Sequence, residues 1–214
     1  MIVEKVEVVI APGFTENCYL LSEDEGATSV VVVDPGSQPD LIQTRLNNRK
    51  LDSIVLTHGH FDHIGAVCQL VKETGAEVIA HAIDAEAVTD SSEINLGHRI
   101  QRIEAIHVDR RVEEGDSIAV GKQSLKVIHT PGHTAGSICL FDDVGHILLS
   151  GDTLFFEDVG RTDFPTGDAG QQRQSIRRLF DLPDDTRVYP GHDRETTIGH
   201  EKQYGPMAGL VSGP

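Results

Sequence analysis

The residues most suited to chemistry lie in one short segment, residues 57–63, which reads Thr-His-Gly-His-Phe-Asp-His. It holds His58, His60, Asp62 and His63 within six positions. Neutral imidazoles and carboxylates are the ligands that Zn²⁺ and related ions prefer. One histidine here would more often be a helix cap, but three histidines with an aspartate favour a metal site.

Three further candidate ligands each follow an apolar segment and a short turn. They are His133 after Thr-Pro-Gly, Asp152 after Ser-Gly, and His192 after Tyr-Pro-Gly. Side chains grouped at one end of several strands are how α/β sheets build sites. Each residue alone is weak support, because a single loop histidine is usually just solvated. Together with the segment at 57–63 they predict one metal site of seven residues.

The apolar segments before these residues predict the elements that position them. Val30–Val33 is wholly apolar and predicts a buried strand ending at Asp34, and Ile54–Leu56 predicts the strand before His58. Residues 84–114 are polar and predict a surface excursion, with part of it in a helix as an open alternative. Alternation of strands and helices at both ends of the chain favours α/β layering of two sheets with outer helices. The other predicted strands are Val3–Val8, Cys18–Leu21, Val78–Ala80, Ser117–Val120, Leu125–Ile128, Ile138–Phe141, Ile147–Leu149 and Arg187–Tyr189, and the predicted helices are Pro39–Asn48, His63–Thr74 and Gln171–Phe180.

Length and charge narrow the classes of function. The chain has 214 residues and a formal net charge of −16, which disfavours binding to nucleic acid and to anionic membranes. Its three cysteines are odd in number and widely spaced, so they form no disulfide framework. The first ten residues lack the pattern of a signal peptide, and no segment has the ~20 apolar residues of a membrane span. We therefore expect a cytoplasmic protein.

The order His-x-His-x-Asp-His, then Gly-His, Gly-Asp and Gly-His, resembles the metallo-β-lactamase superfamily. This resemblance implies an α/β fold, an αβ/βα four-layer sandwich of two mixed sheets flanked by helices, in a single domain over residues 1–214. It also implies two divalent ions, with Zn favoured and Fe or Mn as alternatives, and a hydroxide that bridges them. Asp34 would support the ligand loops without itself binding a metal. The implied ligands are His58, His60, His133 and Asp152 for metal one, and Asp62, His63, His192 and Asp152 for metal two.

Within the superfamily, the segments 151–155, 159–168 and 184–192 resemble the glyoxalase II-like group, and most closely its small stand-alone bacterial hydrolases. The implied activity is hydrolysis of a small-molecule thioester or ester. Asp62 is the implied catalytic residue. Arg161 is a candidate for holding a substrate carboxylate. Full-length glyoxalase II carries a C-terminal helical domain that helps bind glutathione, and this chain ends near where it would begin. We therefore expect little preference for glutathione. The oligomeric state stays open.

Two other functions stay open at this point. Persulfide dioxygenases share the metal motif and Gly-Arg-Thr-Asp-Phe but use one iron and O₂, and they usually have Ala where this chain has Gly191. A metal-binding module without catalysis is the second alternative. Such a module would fill each ion's coordination sphere with protein groups, whereas seven ligands on two ions leave open positions.

Overall fold

Two six-stranded mixed sheets form the centre of the fold. The computed structural model of the chain describes residues 1–90 and 103–212. The strands of the first sheet, in spatial order, are β1 (Ile2–Ala11), β2 (Phe14–Ser22), β3 (Ser29–Val33), β4 (Lys50–Leu56), β5 (Glu77–His81) and β6 (Arg110–Val112). Those of the second are β14 (Thr196–Thr197), β13 (Arg187–Pro190), β10 (Ile147–Gly151), β9 (Ile138–Asp142), β8 (Gln123–His129) and β7 (Ser117–Val120). A separate hairpin pairs β11 (Leu154–Phe155) with β12 (Asp158–Val159).

Helices cover the outer face of each sheet. They are α1 (Pro39–Leu46), α2 (Phe61–Ile64), α3 (Val67–Thr74), α4 (Ala82–Ala87), α5 (Ala169–Leu179), α6 (Ile198–Tyr204) and a 3-10 helix over Ala208–Ser212. Among the described residues, no helix is both long enough and apolar enough to cross a membrane.

Three layers of buried apolar side chains hold the sheets and helices together. One layer packs the first sheet against Ile42 of α1 and Leu70 of α3. The middle layer lies between the sheets, and the third packs the second sheet against Ile176 of α5 and Ile198 of α6. The order helix, sheet, sheet, helix confirms the predicted four-layer sandwich.

Burial explains the strand patterns. Val30–Val33 is buried throughout because β3 has a strand on each side and an apolar layer on each face. In β1, an edge strand, Val6, Val8 and Ile10 are buried while the residues between them are exposed. The unbroken apolar run of β3 thus fits its central place in the sheet, and the alternation of β1 fits its place at the edge.

The predicted helix over His63–Thr74 is wrong, because the structure has two helices there. The Ala66 N–H donates to Pro35 O at 2.9 Å, so the turn after β3 takes a hydrogen bond that a continuous helix would use. Gly36 in this turn lies so close to the Asp62 carbonyl that a Cβ would overlap it. The break makes α2 a short helix that carries Asp62 and His63.

The predicted surface excursion over residues 84–114 is wrong in part. Its beginning lies in α4, Ile103 and Ile106 are buried, and β6 pairs in parallel with β5. Residues 91–102 lie outside the described residues. The segment therefore contributes a strand and core side chains that its polar composition did not predict, while α4 agrees with the helical part of the prediction.

Candidate metal centre

The structure brings all seven predicted residues to one end of the two sheets. His58 and His60 follow β4, and Asp62 and His63 belong to α2. The second sheet supplies the other three from the loops after its strands: His133 after β8, Asp152 after β10 and His192 after β13. Both sheets therefore have to be in place before the cluster can form.

Two groups of side chains within the cluster have ligand spacing. The ligating atoms of His58, His60 and His133 lie within 4.8 Å of one another, and so do those of Asp62, His63 and His192. A third such group, Asp34 with His58 and His63, overlaps these two.

Asp152 lies between the two groups. Its Oδ1 is 3.3 Å from His63 Nε2, and its Oδ2 is 3.5 Å from His133 Nε2 and 3.6 Å from His192 Nε2. Its two oxygens thus face residues of both groups, which is the position that a bridging carboxylate needs.

Several buried ligand atoms make no hydrogen bond. They are His58 Nε2, His63 Nε2 and Asp152 Oδ1, within the described residues, although the last two face each other at 3.3 Å. Leaving such an atom unpaired costs ~1–3 kcal/mol. A cation facing these lone pairs would remove that cost, so the residues present fit a pair of metal ions.

In four of the histidines, Nδ1 contacts a residue that is not among the seven clustered residues. His63 Nδ1 is 3.0 Å from Asp34 Oδ2, while His133 Nδ1 is 2.7 Å from the Arg161 carbonyl. His192 Nδ1 is likewise 2.7 Å from the Thr15 carbonyl, and His58 Nδ1 is 3.1 Å from Thr57 Oγ1. Such outer contacts fix ring orientation and leave the Nε2 atom free to bind a metal.

Electrostatics keep two histidines neutral in the metal-free chain. Burial and the positive charge on His63 hold the pKa of His58 well below its usual value. Burial lowers the pKa of His60 to about 4, and the charge on His133 contributes to the same shift. Burial alone would raise the pKa of Asp152, but His63 and other histidines outweigh it and hold that pKa well below its usual value. Neutral His58 and His60 beside an ionised Asp152 are in the protonation states that metal binding requires. His63 is not, because burial, which alone would lower its pKa, is outweighed by Asp152 and other acids that raise the pKa, so an incoming ion has to displace its Nε2 proton.

Gly191 makes room for the cluster. A Cβ at this position would overlap Asp152 Oδ1 and lie 2.6 Å from His63 Cε1. Glycine is therefore required for these two side chains to lie where they do.

The profile of the Metallo-beta-lactamase superfamily matches residues 11–192, most of the chain. The chain belongs to the metallo-β-lactamase superfamily.

Its relatives in the superfamily carry different names. Hydroxyacylglutathione hydrolase GloC of Haemophilus influenzae is 33% identical, over 94% of this chain and 97% of that protein. The crystal structure of BLEG-1 B3 metallo-beta-lactamase is 31% identical with a TM-score of 0.86, over 98% of this chain and 100% of that chain. TTHA1623, in a di-iron-bound form, is 36% identical with a TM-score of 0.80, over 94% and 98%. ETHE1 from Myxococcus xanthus is 32% identical with a TM-score of 0.76, over 98% and 85%. The chain is therefore a hydrolase-like, metal-binding member of this superfamily.

Arg161 has an intramolecular partner in this metallo-β-lactamase fold. Its Nε and one terminal nitrogen each donate to the Asp163 carboxylate at 2.6 Å, and the guanidinium lies 4.1 Å from the centre of the Phe164 ring. The side chain is more than half exposed, at 58%. Its predicted role in substrate binding stays a prediction and would require exchange of this partner.

Two residues at the site were not predicted from the sequence. Glu16 is wholly buried 3.9 Å from His63 Nδ1, and neither of its oxygens has a hydrogen-bond partner within the described part of the chain. Asn17 donates its amide to Pro190 O at 3.0 Å and to Asp193 O at 2.9 Å, which holds the loop of His192. The sequence carries one sign of them, because the polar pair Glu16-Asn17 lies directly before the apolar run that predicts a strand at Cys18–Leu21.

Proposed function

We propose that the chain is a metal-dependent hydrolase of thioesters, most suitably hydroxyacyl thioesters, with two divalent ions in the candidate centre. The observation that carries this proposal is the Asp152 carboxylate between two ligand groups, with buried lone pairs that have no other partner. Zn²⁺ is the ion we favour, with Fe and Mn as alternatives. The proposed ligands are His58, His60, His133 and Asp152 for one ion, and Asp62, His63, His192 and Asp152 for the other.

The ions would supply Lewis acidity, which makes water a nucleophile near neutral pH. Asp62 can orient this water by accepting a hydrogen bond from it. Burial alone would raise the pKa of Asp62, but a hydrogen bond from His192 and the charge on His63 lower it, so the carboxylate stays ionised. The leaving group needs little help, because a thiol has a pKa of ~8.5 and departs readily as thiolate.

A thioester substrate is supported by the relative GloC, which is named for a glutathione thioester and matches this chain over 97% of its own length. Strong selection of glutathione is not supported by the candidate anchors. Arg161 is paired with Asp163, and Lys202 Nζ lies 2.5 Å from Asp184. A cleft of about 560 Å³ opens beside the His192 loop and has room for a thiol group; its lining residues are Lys5, Glu7, Thr15, Phe156, Asp193 and Arg194. The single domain over residues 1–214 and a cytoplasmic location stay predictions.

Persulfide oxygenation with one iron is the second candidate, favoured by the likeness to ETHE1. The packing around Gly191 supports hydrolysis over it. Alanine at that position would overlap the Asp152 oxygen that faces His63, so this chain preserves the space that a second ion's ligands occupy.

The proposal is tested by assaying one acyl group carried on glutathione and on a small neutral thiol. We expect hydrolysis of both, with kcat/KM for glutathione less than ~100-fold higher, a difference under ~2.7 kcal/mol. A larger preference would mean a dedicated glutathione site. Bound metal without turnover of any thioester, ester or lactone would favour the non-catalytic module and contradict the proposal.

A further inference from the structure

Asp84 is a buried acid that lies outside the seven-residue cluster and touches two of its loops. It sits in α4, directly after β5, and is 5% exposed. Its Oδ2 accepts a hydrogen bond from the Gly59 N–H at 2.9 Å and from Thr134 Oγ1 at 2.8 Å. Gly59 lies between His58 and His60, and Thr134 follows His133. One carboxylate oxygen therefore joins the first-sheet loop to the second-sheet loop.

Gly136 packs against the other oxygen of the same carboxylate. Burial raises the pKa of Asp84, and the hydrogen bonds from Thr134 and Gly59 oppose that rise. Gly136 packs so closely that a Cβ there would overlap Asp84 Oδ1 and lie 2.6 Å from Cγ. The loop after His133 is thus closed around this side chain, and no larger residue than glycine fits at position 136.

We propose that Asp84 is a positioning residue that fixes the His58–His60 loop against the His133 loop and so sets the ligand geometry of the first metal position. The proposal rests on the two-ion centre proposed above. Asp84 makes no hydrogen bond to Asp62, His63 or His192 within the described residues. Asp62 and His63 lie in α2, and His192 follows β13. The effect of Asp84 should therefore be confined to the ion held by His58, His60 and His133.

Gly59 and Thr134 both donate to Oδ2, and Gly136 packs on Oδ1. Asparagine has one accepting oxygen and one NH₂. Asp84→Asn therefore turns an N–H group either toward Gly59 and Thr134 or toward Gly136, and each orientation disturbs the contact with at least one of the two loops while keeping nearly the same volume. Thr134→Val is a milder variant, which removes the hydroxyl that joins the second-sheet loop to Asp84 and that also contacts Ser137 Oγ at 2.8 Å within the same loop.

Asp142 provides a matched control at the end of β9. It is also buried, at 4% exposed, and its Oδ1 accepts from the Val144 and Gly145 N–H groups at 3.0 and 3.1 Å. A glycine packs against it as well, since a Cβ at Gly145 would lie 2.6 Å from its Oδ2. Asp142→Asn thus makes the same change of charge and of one oxygen at a similar buried turn in the second sheet, away from the loops of the cluster.

The experiment measures the dissociation constants of both Zn²⁺ ions by competition with a chelator, and the melting temperature of the metal-free protein. Anomalous diffraction from crystals given one equivalent of Zn²⁺ shows which position fills. We expect Asp84→Asn to weaken the first ion ~10–100-fold, with the second ion within ~3-fold of wild type. Thr134→Val should weaken the same ion by a smaller factor, and Asp142→Asn should weaken neither.

Equal weakening of both ions would overturn the proposal, because it would indicate general loss of stability. So would affinities in Asp84→Asn that match those of Asp142→Asn. If Asp84→Asn does not fold, Thr134→Val decides between the same outcomes. The Zn²⁺ dissociation constants and the melting temperature are measured without substrate. A wild-type protein that binds both ions but hydrolyses no thioester would therefore contradict the proposed function without contradicting the role of Asp84.

Discussion

At the scale of single residues, the proposed chemistry depends most on Asp62, which lies 3.4 Å from His192 Nε2. Asp62→Asn keeps the size of the side chain but removes its charge. We expect kcat for thioester hydrolysis to fall at least ~100-fold, the scale of losing a group that orients the attacking water. The melting temperature of the metal-free protein should stay within a few degrees, because no apolar layer includes this residue. Wild-type turnover in the variant would remove Asp62 from the mechanism.

Gly191 permits a second residue-scale prediction. Gly191→Ala forces a methyl group onto Asp152 Oδ1, the oxygen that faces His63, and toward His63 itself, which is a proposed ligand of the second ion only. We expect the variant to fold but to bind one ion per chain, measured by elemental analysis after dialysis. Gly209→Ala is its control, because a Cβ there meets nothing within 4 Å. Two tightly bound ions in Gly191→Ala would show that the cluster tolerates the methyl group.

The seven clustered residues could be predicted because their chemical types recur after turns at the ends of apolar strands. Asp84 could not, since an acid near the start of a helix is common and its partners Gly59 and Thr134 are distant in sequence. The pairing of Arg161 with Asp163 was equally hidden, because spacing of two in a loop does not predict contact. Residues whose role depends on long-range hydrogen bonds are thus the ones that sequence leaves undetermined.

At the scale of elements, α5 depends on its N-terminal cap. Asp168 accepts from the Gly170 and Gln171 N–H groups at 2.7 and 2.9 Å. Asp168→Ala leaves both donors without this acceptor, so we expect the free energy of unfolding to fall by ~1 kcal/mol, with Asp168→Ser restoring most of it. Chemical denaturation checks this. Metal content should not change, because the Asp168 backbone N–H still bonds to Gly132 O beside His133; loss of metal would mean that the cap itself shapes the ligand loop.

Element boundaries show where pattern fails. Val30–Val33 predicted β3 well, because a run of four buried valines has few alternatives. The break between α2 and α3 was not predicted, since the apolar spacing continues through it and the cause is the Pro35 carbonyl from a distant turn. β6 was missed because Arg110–Val112 is short and mostly charged, and only its place beside β5 makes it a strand.

At the scale of the molecule, the candidate metal centre joins the two sheets, but three apolar layers hold the fold without it. We therefore expect chelation to leave the secondary structure intact while lowering the melting temperature. Each ion kept 100-fold above its dissociation constant adds ~2.7 kcal/mol, or ~5–10 °C for a chain of this size. Circular dichroism during heating, with and without chelator, measures this. An unchanged melting temperature would mean that the clustered residues bind no ion in the folded state.

The two-ion hydrolase is tested most directly by metal analysis of the fully loaded protein in parallel with thioester and O₂-uptake assays. We predict two divalent ions per chain, ~3.5–4 Å apart, with thioester hydrolysis and no consumption of O₂. One iron per chain together with O₂ consumption on a persulfide would contradict the proposal and assign the chain to the dioxygenase activity instead.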